Sequence, residues 1–288
     1  MKKTKLLLVL IACSFSLFAA GGKWEKLFNG KDLAGWERLN GTADYTVING
    51  EIVGTTQINT PNYKNNILTP NEKSAGWKLL WDGKTTDGWR SAGLATFPVK
   101  GWTIADGMLI PNKGENKGGG DIVTVKKYKN FILEVDFKIT EGANSGIKYF
   151  IQSEPGQLNT VGFEYQILDD ERHPDAKEGI NGNRTLASLY DLVPANPQLF
   201  DTNQPVKRVN GIGQWNRARI EVNGNHVVHF LNGVKVLEIF KDSQAFKEAI
   251  AQSKFSKKQG FGEFTDGYIL LQDHGHEVSF RNIKIKEL

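Results

Sequence analysis

Two tight turns in succession constrain this chain more than any other feature. Arg217 through Val222 alternates apolar and polar residues and turns at Asn223-Gly224. The chain runs back as His226-Val227-Val228-His229-Phe230-Leu231, then turns again at Asn232-Gly233 into Val234 through Glu238. Asn-Gly supplies the positive φ angles of a two-residue hairpin turn, so three consecutive strands must pair antiparallel. Further stretches alternate in the same way. Phe131 to Ile139 places Phe131, Leu133, Val135, Phe137 and Ile139 on one face. Gly146 to Ile151 sends Ile147, Tyr149 and Ile151 one way and Lys148 the other. Val278 and Phe280 share one parity while Ile283 and Ile285 share the other, which predicts a bulge at Arg281-Asn282. One helix is expected, Ser243 to Ser253, with Phe246, Ala249 and Ile250 at helical spacing as an amphipathic cover. Eight or more strands with no βαβ rhythm give an all-β, two-sheet antiparallel sandwich or jelly roll.

The termini and the charge set the surroundings. Residues 1–20 have a basic start, an apolar run from Leu6 through Ala12 and small residues at Ala19-Ala20-Gly21-Gly22, the pattern of a secretory signal. Two processing routes are open: acylation at Cys13 after Leu10-Ile11-Ala12, or ordinary cleavage near Ala19 to Gly22, which is favoured. Either route predicts export, to the periplasm or the cell surface, with membrane contact only through a lipid on Cys13. The only cysteine is thereby removed or lipidated, so the folded body has no disulfide and no thiol nucleophile. The net charge of +4 includes Lys2, Lys3 and Lys5 of the leader, so the mature chain is near neutral. A nucleic-acid partner would need a basic stripe that this sequence lacks.

An interrupted repeat divides the chain beyond the leader. Trp24-Glu25-Lys26-Leu27-Phe28-Asn29-Gly30-Lys31 aligns with Trp77-Lys78-Leu79-Leu80-Trp81-Asp82-Gly83-Lys84, and Gly35-Trp36 with Gly88-Trp89. The match resumes at Tyr45 to Gly50 against Trp102 to Gly107. These spacings predict a signal over 1–20, a truncated repeat over 23–56, a polar linker over 57–76 and the main domain over 77–288.

Gly162 through Leu168 puts Phe163, Tyr165 and Ile167 on one face and Glu164 and Gln166 on the other. Lys148, Gln272 and His274 likewise oppose their strands' apolar sets. If these strands are neighbours, they form a polar concave face with a base, a cation, two amides and an imidazole, which suits sugar chemistry. A plain solvated sheet face would look the same. Trp102 and Tyr190 could add platforms for sugar rings. His226 and His229 flank a hairpin strand and are expected to pair at its surface or partly buried. His173, with the acids of Asp169-Asp170-Glu171, offers the one cofactor suggestion, a divalent ion held by Asp169 and His173, although the spacing matches no strong metal pattern. The glycine-rich run Gly114 to Gly120 lacks the context of a phosphate loop and reads as a flexible loop. Glu164-x-Gln166-x-x-Asp169 is similar to the Glu-x-Asp-x-x-Glu of laminarinase-type glucanases. However, Glu164 and Asp169 have opposite parity and do not face each other without a bulge, which disfavours a two-carboxylate glycosidase.

With these residues in view, 77–288 resembles the 3-keto-disaccharide hydrolase family, a concanavalin-like jelly roll. The resemblance rests on Leu79-Leu80-Trp81-Asp82-Gly83 with Gly88-Trp89, Asn144-Ser145-Gly146-Ile147, Gly162 to Asp169, Trp215-Asn216, Leu231-Asn232-Gly233, Leu271-Gln272-Asp273-His274-Gly275 and Phe280-Arg281-Asn282-Ile283. One departure is Lys148, where many relatives have an arginine shortly after Asn-Ser-Gly-Ile. The resemblance implies cleavage of a glycoside already oxidised at C3, whose keto group acidifies the C2 hydrogen. It casts Glu164 as base, His274 as acid or enolate stabiliser, and Lys148 or a metal at Asp169 and His173 as the positive charge. Gln166, Gln272 and Asn144 would bind substrate hydroxyls. The rival reading is a non-catalytic lectin on the same fold.

Overall fold

The structure, a computed structural model, describes residues 26–36, 44–55, 65–112, 120–203 and 206–288. The leader and Cys13 lie outside the described residues. The chain divides into two compact units, 1–62 and 63–288.

In the first unit β1 (Asp44–Ile48) and β2 (Glu51–Thr55) form a hairpin. Asn49 and Gly50 at its tip have φ of 53° and 81°, as an Asn-Gly turn requires. The second unit opens with α1 (Pro70–Ser74), β3 (Trp77–Leu79), β4 (Trp89–Ser91), β5 (Trp102–Ala105), β6 (Met108–Pro111) and β7 (Ile122–Thr124). Then come β8 (Phe131–Ile139), β9 (Asn144–Ile151), β10 (Phe163–Leu168), β11 (Trp215–Asn223), β12 (His226–Leu231), β13 (Val234–Phe240), α2 (Gln244–Gln252), β14 (Tyr268–Leu271) and β15 (Val278–Glu287).

The repeat is structural as well as sequential. Asn29 Oδ1 accepts the N–H groups of Lys31 and Asp32, and Asp82 Oδ1 accepts those of Lys84 and Thr85. Trp36 Nε1 donates to Leu27 O at 3.1 Å, and Trp89 Nε1 donates to Leu80 O at 2.7 Å. The β1–β2 hairpin corresponds to β5–β6, which turns at Asp106-Gly107. Residues 65–76, expected to be linker, belong instead to the main body. Asn66 is buried and exchanges backbone-to-side-chain hydrogen bonds with Asn282 in both directions, at 2.7 and 2.8 Å. Thr69 and Glu72 close a capping box on α1, and Glu72 pairs with Lys284.

Two antiparallel sheets enclose the core. One runs β13-β12-β11-β8-β15-β6-β5, with β3 also on β15; the other runs β10-β9-β14-β7-β4. Phe131, Leu133, Val135 and Phe137 of the first sheet pack with Ile147, Tyr149, Phe163, Tyr165 and Ile167 of the second, which makes a jelly-roll sandwich as the alternation predicts. Helix α2 is capped by Ser243, whose Oγ accepts the Phe246 N–H, and packs Phe246 against Phe163. The expected bulge falls between Arg281 and Lys284, with Asn282 at φ 51°.

His229, expected at the surface or partly buried, lies deeper than that. It is fully buried, with Nδ1 3.1 Å from Ala187 O and Nε2 3.0 Å from the Tyr149 hydroxyl. A carbonyl only accepts, so Nδ1 carries the proton and Nε2 accepts from Tyr149. Burial pushes its pKa down to about 4, consistent with this neutral core imidazole. His226 lies nearer the surface, 2.7 Å from Glu238 Oε1.

Candidate active site

The outer face of the five-stranded sheet is built in rows, because residues opposite each other in a ladder share a face. One row runs Arg90, Val123, Leu270, Lys148 and Glu164 across β4, β7, β14, β9 and β10. Next to it Ala92, Asp121, Gln272, Gly146 and Gln166 stand in line. Gly146 opposes Gln166, the Gln272 N–H donates to Gly146 O at 3.0 Å, and the Ala92 N–H donates to Asp121 O at 2.8 Å. Asn144 comes one row further on, opposite Leu168. The structure thus brings Lys148, Glu164, Gln166 and Gln272 together, as the sequence proposed, and adds Asp121.

Gly146 is the gap in this floor that holds the site's carboxylate. A Cβ built on it would lie 2.3 Å from Glu164 Oε1 and 2.9 Å from Cδ, so the Glu164 side chain lies across the glycine. Its other oxygen is 3.4 Å from Lys148 Nζ. The glycine of Asn-Ser-Gly-Ile therefore does more than fit a strand. Gln166 is almost wholly buried, and neither its Oε1 nor its Nε2 has a hydrogen-bond partner; Gln272 Oε1 is likewise unpaired. Unmet amide groups beside a carboxylate are suited to receive hydroxyls from a ligand.

The wall beyond β10 is the segment 185–190, whose backbone continues the ladder. Ala187 N–H donates to Gln166 O, Gln166 N–H to Ser188 O, and Tyr190 N–H to Glu164 O. This brings Tyr190 to the site, but one ring face is covered: Lys254 Nζ lies 4.1 Å from its centroid and the Arg184 guanidinium 5.7 Å. Lys254 comes after α2 and is fixed by its N–H, which donates to Asp191 Oδ2 at 2.7 Å. Asp191 also binds Arg184, which reaches Asp175. Burial, and then the hydrogen bond with Asp175, raises the Tyr190 pKa, so the phenol stays protonated. Burial lowers the Lys254 pKa, with Glu164 and Asp191 pulling the other way. Asp121 is pushed up to about 6, first by burial and also by Glu164 and Asp273, against the attraction of Lys148 and the Asp273 N–H.

At the rim, the rings of His173, His274 and His276 lie 5.5–6.5 Å apart. His274 is exposed. His173 caps the short 3-10 turn that starts at Pro174, and its Nδ1 accepts the Asp175 N–H at 3.2 Å. Its pKa is lowered, mainly by burial and partly by His274.

Two expectations need correction. Trp102 is a core residue, 6.4 Å from Phe280, with Nε1 donating to Gly120 O; it is no sugar platform. A divalent ion on Asp169 and His173 does not fit the residues. Asp169 accepts N–H groups from Gly142, Glu171 and Arg172, and these outweigh burial and hold its carboxyl below the usual range. It organises the loop, and among the described residues no three His, Cys, Asp or Glu side chains are grouped as metal ligands would be.

Residues 76–286 match the family described as the 3-keto-alpha-glucoside-1,2-lyase-like domain. This chain belongs to that family. It is 38% identical to a 3-keto-disaccharide hydrolase of Bacteroides thetaiotaomicron over 240 residues, covering 74% of this chain and 79% of that protein. Membership in the 3-keto-alpha-glucoside-1,2-lyase-like family makes the chain an enzyme of hydrolase or lyase type. A crystal structure of a candidate glycosyl hydrolase from Parabacteroides distasonis is 33% identical, with a TM-score of 0.66, and covers 78% of this chain and all of that one. A second from the same organism is 28% identical with a TM-score of 0.56, covering 74% of this chain and 99% of that one. Sequence reasoning missed Asp121 and Lys254. Asp121 comes directly after a glycine run and precedes a three-residue strand, and Lys254 reaches Tyr190 only through tertiary packing.

Proposed function

We propose that this chain cleaves glycosides already oxidised at C3, by elimination across C1–C2 followed by addition of water. The observation that carries this is the Glu164 carboxylate lying over Gly146 beside the Lys148 ammonium, with the unpaired amides of Gln166 and Gln272 around it. Glu164 removes the C2 proton, which the adjacent ketone makes acidic. Charge then develops on the ketone oxygen, where Lys148 or Lys254 supplies compensating positive charge. Gln166, Gln272 and Asn144 bind hydroxyls, while His173 and His274 line the rim. A di- or oligosaccharide is the substrate class, and the signal-like leader supports a working location outside the cytoplasm.

An open aromatic surface without titratable groups would favour a lectin. Trp102 is in the core and Tyr190 has Lys254 on one face, so that reading has less support. The test is to incubate the protein with a 3-keto glucoside and with its unoxidised parent. Cleavage of the 3-keto compound alone supports elimination. Cleavage of both would indicate an ordinary glycosidase, and binding without cleavage of either would indicate a lectin.

A further inference from the structure

We infer that Asp121 is the second catalytic carboxyl of this site, the acid that protonates the departing C1 oxygen and the base that later activates water. This rests on the 3-keto reading above and assigns its missing proton donor. The placement is topological: Asp121 stands in the row of Gln272, Gly146 and Gln166, and Glu164 leans over Gly146 into that same row. The two carboxyls thus share one row of the sheet's outer face, and both Glu164 and Lys148 act on the Asp121 carboxyl. Asp121 is held at both backbone and side chain. Its carbonyl accepts the Ala92 N–H at 2.8 Å, and its Oδ1 accepts the Asp273 N–H at 3.0 Å.

Three of the other donors near the site are less suited. His274 is exposed at the rim, Lys148 is paired with Glu164, and Tyr190 is held protonated. The charged groups that face Asp121 are Lys148 from β9, Glu164 from β10 and Asp273 after β14, with Arg90 of β4 in the adjoining row. Burial among them raises Asp121 to about 6, where it can hold a proton and still release it.

The proton balance closes over the two half-reactions. In the first, Glu164 takes the proton from C2, the C1–C2 double bond forms and the C1–O bond breaks. The leaving oxygen takes the Asp121 proton and departs as an alcohol. Glu164 is now protonated and Asp121 ionised. In the second, Asp121 takes a proton from water as its oxygen bonds to C1, and Glu164 returns its proton to C2. Both carboxyls end as they began, and the net change is hydrolysis with no oxidant or reductant.

The experiment compares a methyl and a 4-nitrophenyl 3-keto-glucoside, following alcohol or phenol release. Nitrophenolate leaves without a proton, so Asp121→Asn should slow the methyl substrate roughly 10²–10³-fold and the nitrophenyl substrate less than about tenfold. In the wild type, kcat/KM for the methyl substrate should fall as pH rises through about 6, and this limb should be absent for the nitrophenyl substrate. The wild-type profiles read out the same role if the variant misfolds. Equal losses on both substrates, or identical alkaline limbs, would overturn the assignment. If the wild type cleaves neither 3-keto compound, the 3-keto reading itself has failed.

Discussion

Glycine at position 146 makes sense only through its neighbour. A methyl there would meet Glu164 Oε1 at 2.3 Å, yet the obstacle is the free end of a flexible side chain and not backbone. Gly146→Ala should therefore change stability by less than about 1 kcal/mol, while displacing the carboxylate by about an ångström or more. A misplacement of that size costs on the order of 10²-fold in rate. Steady-state kinetics beside thermal melting checks this; unchanged kcat would show that the Glu164 position is not critical. Asp121 offers the complementary case, a residue whose ionised form burdens the fold. Its folded pKa of about 6 lies above the ordinary 3.8, so between those values the native state binds more protons than the unfolded chain. Stability then falls as pH rises from about 4 to 6, and the whole penalty, on the order of 2–3 kcal/mol, is present above that range. Asp121→Asn should raise the melting temperature at pH 8 by roughly 5–10 °C and confer little at pH 4. Equal melting temperatures at pH 8 would show that the carboxyl is solvated well enough to ionise without cost.

Strands differ in how much of their geometry they declare. The β11–β12–β13 meander was legible because two Asn-Gly turns fix its register. The bulge at Arg281 was legible because Val278 and Phe280 change parity against Ile283 and Ile285. A second bulge in β9 was hidden. Phe150 sits at φ 61°, so Tyr149 and Phe150 both enter the core, and Ile151 turns outward to join Ala92, Val123, Tyr268 and Leu270. Tyr149-Phe150-Ile151 is apolar whichever way each residue points, so no alternation could reveal the slip. Gly267 makes the slip sterically feasible, since a Cβ there would lie 2.3 Å from Phe150 C. The polar half of β9 lies before the bulge, and this is why Lys148 and Glu164 met as alternation required. Trp102 was misread for a related reason. Alternation shows that it faces away from Thr103, but not whether that face is core or groove. Asp121 and Lys254 left no periodic trace at all, because a three-residue strand and the turn after a helix carry none.

At the scale of the whole chain, the sequence places the start of the main body too late. All the site residues lie in 63–288, and the first unit repeats only its opening hairpin and turn. A fragment of 63–288 should match the full chain in melting temperature and in turnover. A fragment of 77–288, the boundary the repeat alone suggests, should keep the turnover but melt at a lower temperature. It lacks Asn66, which bonds Asn282 in both directions and Gly107 O at 3.0 Å, and it lacks Glu72, the partner of Lys284. Cutting there leaves the Asn282 N–H and side-chain oxygen without those partners and exposes the floor under Gly83, where Asn66 packs. Three lost hydrogen bonds at about 1 kcal/mol each put the cost near 3 kcal/mol, with unpaired buried groups adding to it. For a body of this size the melting point should drop by about 6–12 °C. Turnover below the melting point should be preserved, because the rows of β4, β7, β14, β9 and β10 are complete in both fragments. Calorimetry on the two fragments decides the matter. Equal melting temperatures would mean that Asn66 and α1 rest on the body without stabilising it, and a loss of turnover in 77–288 alone would mean that they support the site.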